Sequence, residues 1–277
     1  MAGNDKINEI LNRVREKKER PAREFRSSRF TAIKDFFNQF KSSSRLTYIA
    51  DKTDESGIDP RVVTYYSSDS PISEQYRILR THIFVSQPDN PPKTILLTSC
   101  HRQEGKTLTA VNLAITLAQD SHKKVLLIDA DLRKGEISKI LNLSEAPGLA
   151  EVLKGQAELA EVIQEGRIPG VSVITAGANP LNPSELLGQA KIKESLRLIK
   201  ESYDQIIIDA PPLIPVTDGA LLAPLVDGII LVIKAEVTRL EIVEHAQFLL
   251  KQAKGKLLGY VLSNVEYHIP EYIHKYL

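Results

Sequence analysis

The stretch TILLTSCHRQEGKTLTAVNLAITLAQ, residues 94–119, contains three local patterns in succession. Residues 94–99 form an apolar run typical of a buried strand, and residues 105–119 have the composition of a helix. The loop between them ends in Gly105-Lys106-Thr107. This order is typical of a phosphate-binding loop, in which backbone N–H groups and the helix start hold phosphate oxygens.

The loop departs from the full pattern G-x-x-x-x-G-K-[ST], because Cys100 stands where the first glycine is expected. A Gly-Lys-Thr triplet alone would also fit the exposed start of an ordinary helix. Its place between an apolar run and a helix favours nucleotide binding. Lys106 would then neutralise the β- and γ-phosphates, and the hydroxyl of Thr107 would reach Mg²⁺.

The composition indicates one ordinary globular domain with an extension, since 277 residues carry a net charge of +1 and 42% are hydrophobic. The near-zero charge gives no indication of nucleic-acid binding. A single cysteine cannot form an internal disulfide, which favours a reducing compartment. We find no signal peptide and no apolar run of about 18 residues, so we expect a cytoplasmic chain without a membrane span.

Strand and helix patterns alternate along the rest of the chain. We predict further strands at 124–132, 171–177, 205–212, 228–236 and 257–264, and helical stretches at 183–203 and 238–253. Apolar runs rich in β-branched residues suit strands buried on both faces. The predicted class is therefore α/β, a mostly parallel sheet with helices on both faces, with ligands beyond the carboxyl ends of its strands.

Two carboxylate motifs lie at predicted strand ends. LLIDADLR, residues 126–133, contains Asp129 and Asp131, and IIIDAPP, residues 206–212, contains Asp209. Carboxylates beside a phosphate site hold Mg²⁺ or its waters, and one of them can accept a proton from an attacking hydroxyl. The first motif alone would also fit a capped strand end followed by a solvated arginine. All three motifs together favour a nucleotide site.

These motifs, in this order, resemble the bacterial tyrosine kinases of capsule and exopolysaccharide biosynthesis, P-loop proteins whose fold is related to MinD and ParA. SEQYRILR, residues 73–80, also matches the E-x-x-R-x-x-R motif of that family, which builds a ring of subunits. Glu74, Arg77 and Arg80 would share one helix face there, although an ordinary charged helix has the same pattern. The resemblance covers about residues 70–277 and includes a soluble branch associated with exosortase and exopolysaccharide gene clusters.

The resemblance implies ATP and Mg²⁺ as cofactors and a role for each matching residue. Asp129 would activate the tyrosine hydroxyl, and Asp131 and Asp209 would hold the metal together with Thr107. The predicted catalytic residues are Lys106, Asp129, Asp131 and Asp209. The predicted nucleotide contacts are Gln103, Glu104, Gly105, Lys106, Thr107, Leu108, Arg133 and Asn264, the last of these on the adenine edge.

One loop residue departs from the family pattern P-G-E-G-K, because Gln103 replaces its first glycine. If that position requires a positive φ, a residue with a Cβ is strained there. We therefore expect an altered or weaker interaction with ATP. A scaffold that has lost efficient catalysis is one alternative to the kinase. A MinD/ParA-type ATPase switch is another, and it is disfavoured because His101 stands where those proteins carry a lysine.

The predicted organisation has three parts: a basic, partly helical or flexible extension at 1–69, a kinase domain at 70–264 and a tail at 265–277. The resemblance implies that the tail tyrosines Tyr267, Tyr272 and Tyr276 accept phosphate from a neighbouring subunit, although a packed aromatic end is an alternative. It further implies a membrane partner that controls polysaccharide chain length. That partner, or contact of the basic extension with the membrane, would recruit the chain to the inner face of the plasma membrane.

Overall fold

The computed structural model describes residues 55–85, 87–119, 123–165, 167–216 and 218–265. The three tail tyrosines and residues 1–54 of the predicted extension lie outside the described residues. The helices are α1 Val63–Tyr66, α2 Pro71–Val85, α3 Lys106–Ala118, α4 Ile137–Leu141, α5 Leu149–Lys154, α6 Leu159–Val162, α7 Pro183–Leu187, α8 Ala190–Ser202, α9 Asp218–Leu222 and α10 Leu240–Gln252. The strands are β1 Thr94–Ser99, β2 Val125–Asp129, β3 Ile163–Glu165, β4 Val171–Ile174, β5 Gln205–Asp209, β6 Gly228–Lys234 and β7 Leu257–Ser263.

The seven strands form one sheet in the order β3-β4-β2-β5-β1-β6-β7. Every neighbouring pair is parallel except β3 and β4, which run antiparallel. The predicted α/β class is confirmed. The edge strand β3 was not predicted, because its three residues are too short to show a periodic pattern.

The core lies on both faces of the sheet. Ile95 and Leu97 of β1 pack in one apolar cluster, and Leu96 between them packs in the other. Side chains alternate between the two faces along a strand, so a strand covered on both sides needs a continuous apolar run. This is why the apolar runs of the sequence coincide with the central strands.

The structure corrects two of the predicted boundaries. The helix predicted at 183–203 is two helices, because α7 ends before Gly188 and Gln189 adopts an extended backbone before α8 begins. The packed unit also begins earlier than residue 70. Ile58 and Val62 are buried in the core, and the Thr64 hydroxyl donates a hydrogen bond to Oδ1 of Asn112 in α3.

No helix among the described residues has both the length and the apolar character needed to cross a membrane.

Candidate active site

The topology brings the three motifs together at the carboxyl edge of the sheet. Strand β5 lies between β2 and β1, and Asp209 is in register with both Asp129 and Leu97. The loop that follows β1 ends at Lys106, the first residue of α3. In parallel sheets ligands bind beyond this edge, and the motif residues therefore meet where the sequence predicts.

Lys106 is the centre of the site. Its Nζ lies 3.2 Å from Oδ2 of Asp131 and 3.2 Å from Oδ2 of Asp209. It also lies 3.2 Å from Oγ1 of Thr107. Burial opposes the charge on the lysine, but the carboxylates of Asp209, Asp131 and Asp129 outweigh it and raise the Lys106 pKa above its usual range. The lysine is therefore a fixed cation.

The negative charge around Lys106 exceeds what one cation balances. Asp129 and Asp209 are almost completely buried. Burial first, and then the charge of Asp209, raises the pKa of Asp129 to about 7. Burial likewise raises the pKa of Asp209, although Lys106 opposes this. A cluster of this kind favours a further cation or a proton.

Asp129 is held in one orientation by the backbone. Its Oδ1 accepts a hydrogen bond from the N–H of Asp131 at 3.1 Å, and its Oδ2 accepts one from the N–H of Ile137 at 3.1 Å. Each oxygen keeps a lone pair for a further partner. A carboxylate with a pKa close to neutrality is suited to accept a proton from a hydroxyl.

Two residues of the phosphate-binding loop adopt a left-handed backbone conformation. Gln103 has φ of 62°, and Gly105 has φ of 85°. The condition for strain at Gln103, a positive φ, is therefore met, since left-handed backbone is costly for residues with a Cβ. Leu108, in the first turn of α3, is partly buried.

Three residues that the sequence did not predict contact predicted site residues: two contact Glu104 of the loop, and one contacts Arg133. Thr238, from the segment after β6, donates its hydroxyl to Oε1 of Glu104. Ser263, at the end of β7, donates to the backbone oxygen of Glu104 at 2.7 Å. The third is Asp218 of α9, whose partner is Arg133.

Arg133 points toward Asp218. Its Nε lies 2.6 Å from Oδ2 of Asp218, and its Nη2 lies 2.8 Å from Oγ of Ser184. Asp218 is fully buried, and its carboxylate raises the Arg133 pKa. The contact between Arg133 and nucleotide stays a prediction, while the geometry gives the guanidinium a role in tying three segments together.

The remaining predicted residues lie on α2 and directly after β7. Asn264 directly follows β7, is exposed and has φ of 53°. On α2, Nη1 of Arg77 lies 2.8 Å from Oε2 of Glu74, and Arg80 donates to the backbone oxygen of Thr116 in α3 at 3.1 Å. These contacts lie within one chain, so their part in oligomerisation stays a prediction.

The side chains around Lys106 include oxygen ligands suited to Mg²⁺. Within the described ranges, no group of three or more His, Cys, Asp or Glu side chains is arranged to hold a metal by itself. Mg²⁺ usually keeps several waters and takes one or two carboxylates together with substrate phosphates. The carboxylates of Asp131 and Asp209 and the hydroxyl of Thr107 fit a Mg²⁺ ion that arrives with a nucleotide.

Comparisons with known proteins identify the family. A family model described as "AAA domain" matches residues 93–257. Tyrosine-protein kinase YwqD of Bacillus subtilis is 39% identical over 69% of this chain and 80% of its own length. The putative tyrosine-protein kinase CapB of Staphylococcus aureus is 37% identical over 71% of this chain and 86% of its own. The tyrosine-protein kinase ptk of Acinetobacter johnsonii is 36% identical over 74% of this chain, which spans 28% of that longer protein.

Solved structures agree. The kinase domain of the Escherichia coli tyrosine kinase ETK superposes with a TM-score of 0.71 at 31% identity, covering 78% of this chain and 86% of that one. The MinD protein of Pyrococcus horikoshii, complexed with Mg-ADP, is less similar, with a TM-score of 0.55 at 26% identity over 66% of this chain and 76% of its own. The chain therefore belongs to the bacterial tyrosine-protein kinases, a nucleotide-using P-loop family related in fold to MinD.

Proposed function

We propose that this tyrosine kinase uses Mg-ATP to phosphorylate Tyr267, Tyr272 and Tyr276 in the tail of a neighbouring copy. The observation that carries this proposal is the cluster of Lys106 with Asp129, Asp131 and Asp209 at the start of α3. One cation and three carboxylates at a phosphate-binding loop suit phosphoryl transfer, in which proteins mainly position groups and balance charge.

Each residue of the cluster has a task in this proposal. Lys106 and the loop amides bind the β- and γ-phosphates, and Thr107, Asp131 and Asp209 would hold Mg²⁺. Bound Mg²⁺ would neutralise charge on the transferred phosphoryl group. Asp129, fixed by two backbone N–H groups, accepts the proton of the tyrosine hydroxyl.

The wider role follows from the family and is also proposed. We infer that the kinase regulates synthesis and export of an extracellular polysaccharide, together with a membrane partner. We further propose that it works in the cytoplasm at the inner face of the plasma membrane. The basic excess of residues 1–50 supports contact with anionic lipid, since lysine and arginine near such a surface are attracted to it.

Intact-mass spectrometry after incubation with Mg-ATP tests the reaction. Wild type should gain about 80 Da for each phosphate, and Lys106→Met and a Tyr267/Tyr272/Tyr276→Phe triple variant should gain none. Lys193→Met, at an exposed position of α8, serves as the matched control and should behave as wild type.

Mixing the two inactive variants tests transfer between copies. The triple variant keeps its active site and Lys106→Met keeps its tyrosines, so phosphate should appear on Lys106→Met alone. Phosphate on Lys106→Met incubated by itself contradicts the proposal. ATP binding and hydrolysis without any phosphotyrosine would instead support a MinD-type switch.

A further inference from the structure

The phosphate-binding loop contains a local conflict between residue and backbone. Gln103 is exposed and has φ of 62°, a conformation in which its Cβ is unfavourable. Gly105, two residues later, is also left-handed, but glycine adopts this conformation readily. The turn at Gln103 must therefore be held by contacts from elsewhere.

The neighbouring residue supplies such a contact. Glu104 is 3% exposed, and its Oε2 accepts a hydrogen bond from the N–H of His101 at 3.0 Å. This bond closes the loop across Arg102 and Gln103. Because the Glu104 carboxylate links residue 104 to the backbone of His101, it fixes the segment between them, which contains the unfavourable φ of Gln103.

Glu104 is in turn anchored to the sheet. Its Oε1 accepts the hydroxyl of Thr238, from the segment after β6, and its backbone oxygen accepts the hydroxyl of Ser263, at the end of β7. A buried carboxylate is stable only where its oxygens have donors. Ser263 belongs to β7, and Thr238 follows β6, the strand that pairs with β7, so the loop is tied to this side of the sheet.

We propose that Glu104 and Thr238 are positioning residues that hold the loop in its phosphate-binding conformation against the strain of Gln103. The proposal rests on the proposed function only in taking Mg-ATP as the ligand. If the proposal is correct, the effect of substituting Glu104 depends on which residue stands at position 103. With glycine at 103 the loop reaches the same conformation unaided and should need Glu104 much less.

A double-mutant cycle of Gln103→Gly and Glu104→Ala tests this dependence. We expect Glu104→Ala to weaken Mg-ATP binding about tenfold when residue 103 is glutamine and only about twofold to threefold when it is glycine. Left-handed strain of about 1–2 kcal/mol corresponds to roughly a tenfold change in an equilibrium constant. Glu104→Gln should stay within about threefold of wild type, because its amide still accepts from His101 and donates to Thr238. Thr238→Val, which keeps the side-chain shape, should also be rescued by Gln103→Gly.

A matched control separates this effect from general relief of strain. Lys254 lies in the connection between α10 and β7 at the opposite edge of the sheet, is exposed and has φ of 59°. Lys254→Gly removes the same kind of strain, but its effect should add to that of Glu104→Ala without coupling. Rescue of Glu104→Ala by Lys254→Gly would overturn the proposal.

The same cycle is measured by urea unfolding without nucleotide, so that the inference is judged independently of ATP. We expect the unfolding equilibrium constant to show coupling of about fivefold between positions 103 and 104. Coupling in unfolding without any Mg-ATP binding by wild type would contradict the proposed function and support the positioning role of Glu104. Additive effects of the Gln103 and Glu104 substitutions, or of the Gln103 and Thr238 substitutions if Glu104→Ala does not fold, would overturn the inference.

Discussion

The two edges of the sheet each contain a lysine close to an aspartate, but their charge balance differs. At the amino edge Asp227 accepts the N–H groups of Lys93 and Thr94 at 3.1 and 2.8 Å, the Thr94 hydroxyl at 2.6 Å and Nζ of Lys200 at 3.0 Å. At the carboxyl edge a single lysine, Lys106, serves three carboxylates.

The pKa values reflect this difference. Burial opposes ionisation of Asp227, but the hydrogen bonds from Thr94 and Lys200 outweigh it and lower the pKa. Ionised Asp227 thus stabilises the fold above its unfolded pKa of 3.8, and this stability is lost as pH falls through the lower folded pKa. Asp129 shows the opposite sign, since burial raises its pKa from 3.8 to about 7 and its contribution to stability decreases as pH rises between these values.

The comparison shows that one edge is built for stability and the other for a ligand. Four donors satisfy Asp227 within the protein itself. The carboxylates around Lys106 keep an excess of buried negative charge that lowers stability until a cation compensates it. Such a trade of stability for activity is common at catalytic sites.

The largest expected effect comes from neutralising a carboxylate at the carboxyl edge. Asp209→Asn should lower the phosphorylation rate by about 100-fold or more, because the site loses a group that positions charge for the reaction. The same change should raise the free energy of unfolding by roughly 1 kcal/mol at pH 7.5, since it removes buried excess charge. Kinetics and urea unfolding of the same preparation measure both.

A fall in stability with Asp209→Asn would contradict the proposed imbalance. The isosteric asparagine keeps an oxygen for Nζ of Lys106, so lost packing does not explain such a result.

At the amino edge the expected sign reverses. Asp227→Ala should lower the free energy of unfolding by about 2 kcal/mol, because two backbone N–H groups and the Thr94 hydroxyl lose their acceptor. Activity per folded molecule should not change. Asp204→Ala is the matched control, since this exposed residue accepts a hydrogen bond from the N–H of Lys124 at 2.8 Å, and its loss should cost less than half as much. Equal losses for both variants would show that Asp227 has no special place.

Much of this architecture follows from local sequence. A strand buried on both faces requires an apolar run, and a carboxylate at its end must emerge at the ligand edge, so Ile206–Ile208 followed by Asp209 predicts both strand and site. Strand β3 is too short to be recognised in this way.

Contacts between segments that are distant in the sequence could not be predicted from local sequence patterns. The role of Thr238 depends on how the segment after β6 meets the loop after β1, and no spacing in the sequence encodes that meeting. Asp218 had one available signal, an acidic residue in the largely apolar segment PVTDGALLAPL, residues 215–225, because a buried acid needs a partner. The nucleotide contact predicted for Arg133 follows from its place in the LLIDADLR motif, whereas the direction of its side chain, which points to Asp218, is not encoded in that motif.

The third prediction concerns Arg133. It lies at the carboxyl edge, but like Lys200 at the amino edge it is a cation paired with a single aspartate, Asp218. If it is structural, Arg133→Met should lower the free energy of unfolding by about 1–2 kcal/mol, because buried Asp218 loses its cation. Its affinity for Mg-ATP, measured by calorimetry, should stay within about threefold of wild type. A tenfold loss of affinity with unchanged stability would instead assign Arg133 to the nucleotide, as the sequence predicts.

The smallest expected effect on stability comes from a third kind of charge pair, close to the surface. The pair of Arg77 with Glu74 on α2 is partly exposed, and exposed pairs contribute little. Arg77→Ala should change the free energy of unfolding by less than about 0.5 kcal/mol. Sedimentation velocity should nevertheless show weaker self-association, if α2 forms the subunit contact that the motif predicts.

Arg197→Ala provides the comparison for that last result. Arg197 pairs with Glu201 at 3.2 Å on α8 and is also exposed, but it belongs to no subunit motif. Both variants should therefore unfold like wild type, and only Arg77→Ala should sediment differently. If the two variants sediment alike, the pair on α2 is an ordinary surface pair. Neither the Arg77 pair nor the Arg197 pair would then contribute measurably to stability or assembly, in contrast to the aspartates at the two edges of the sheet.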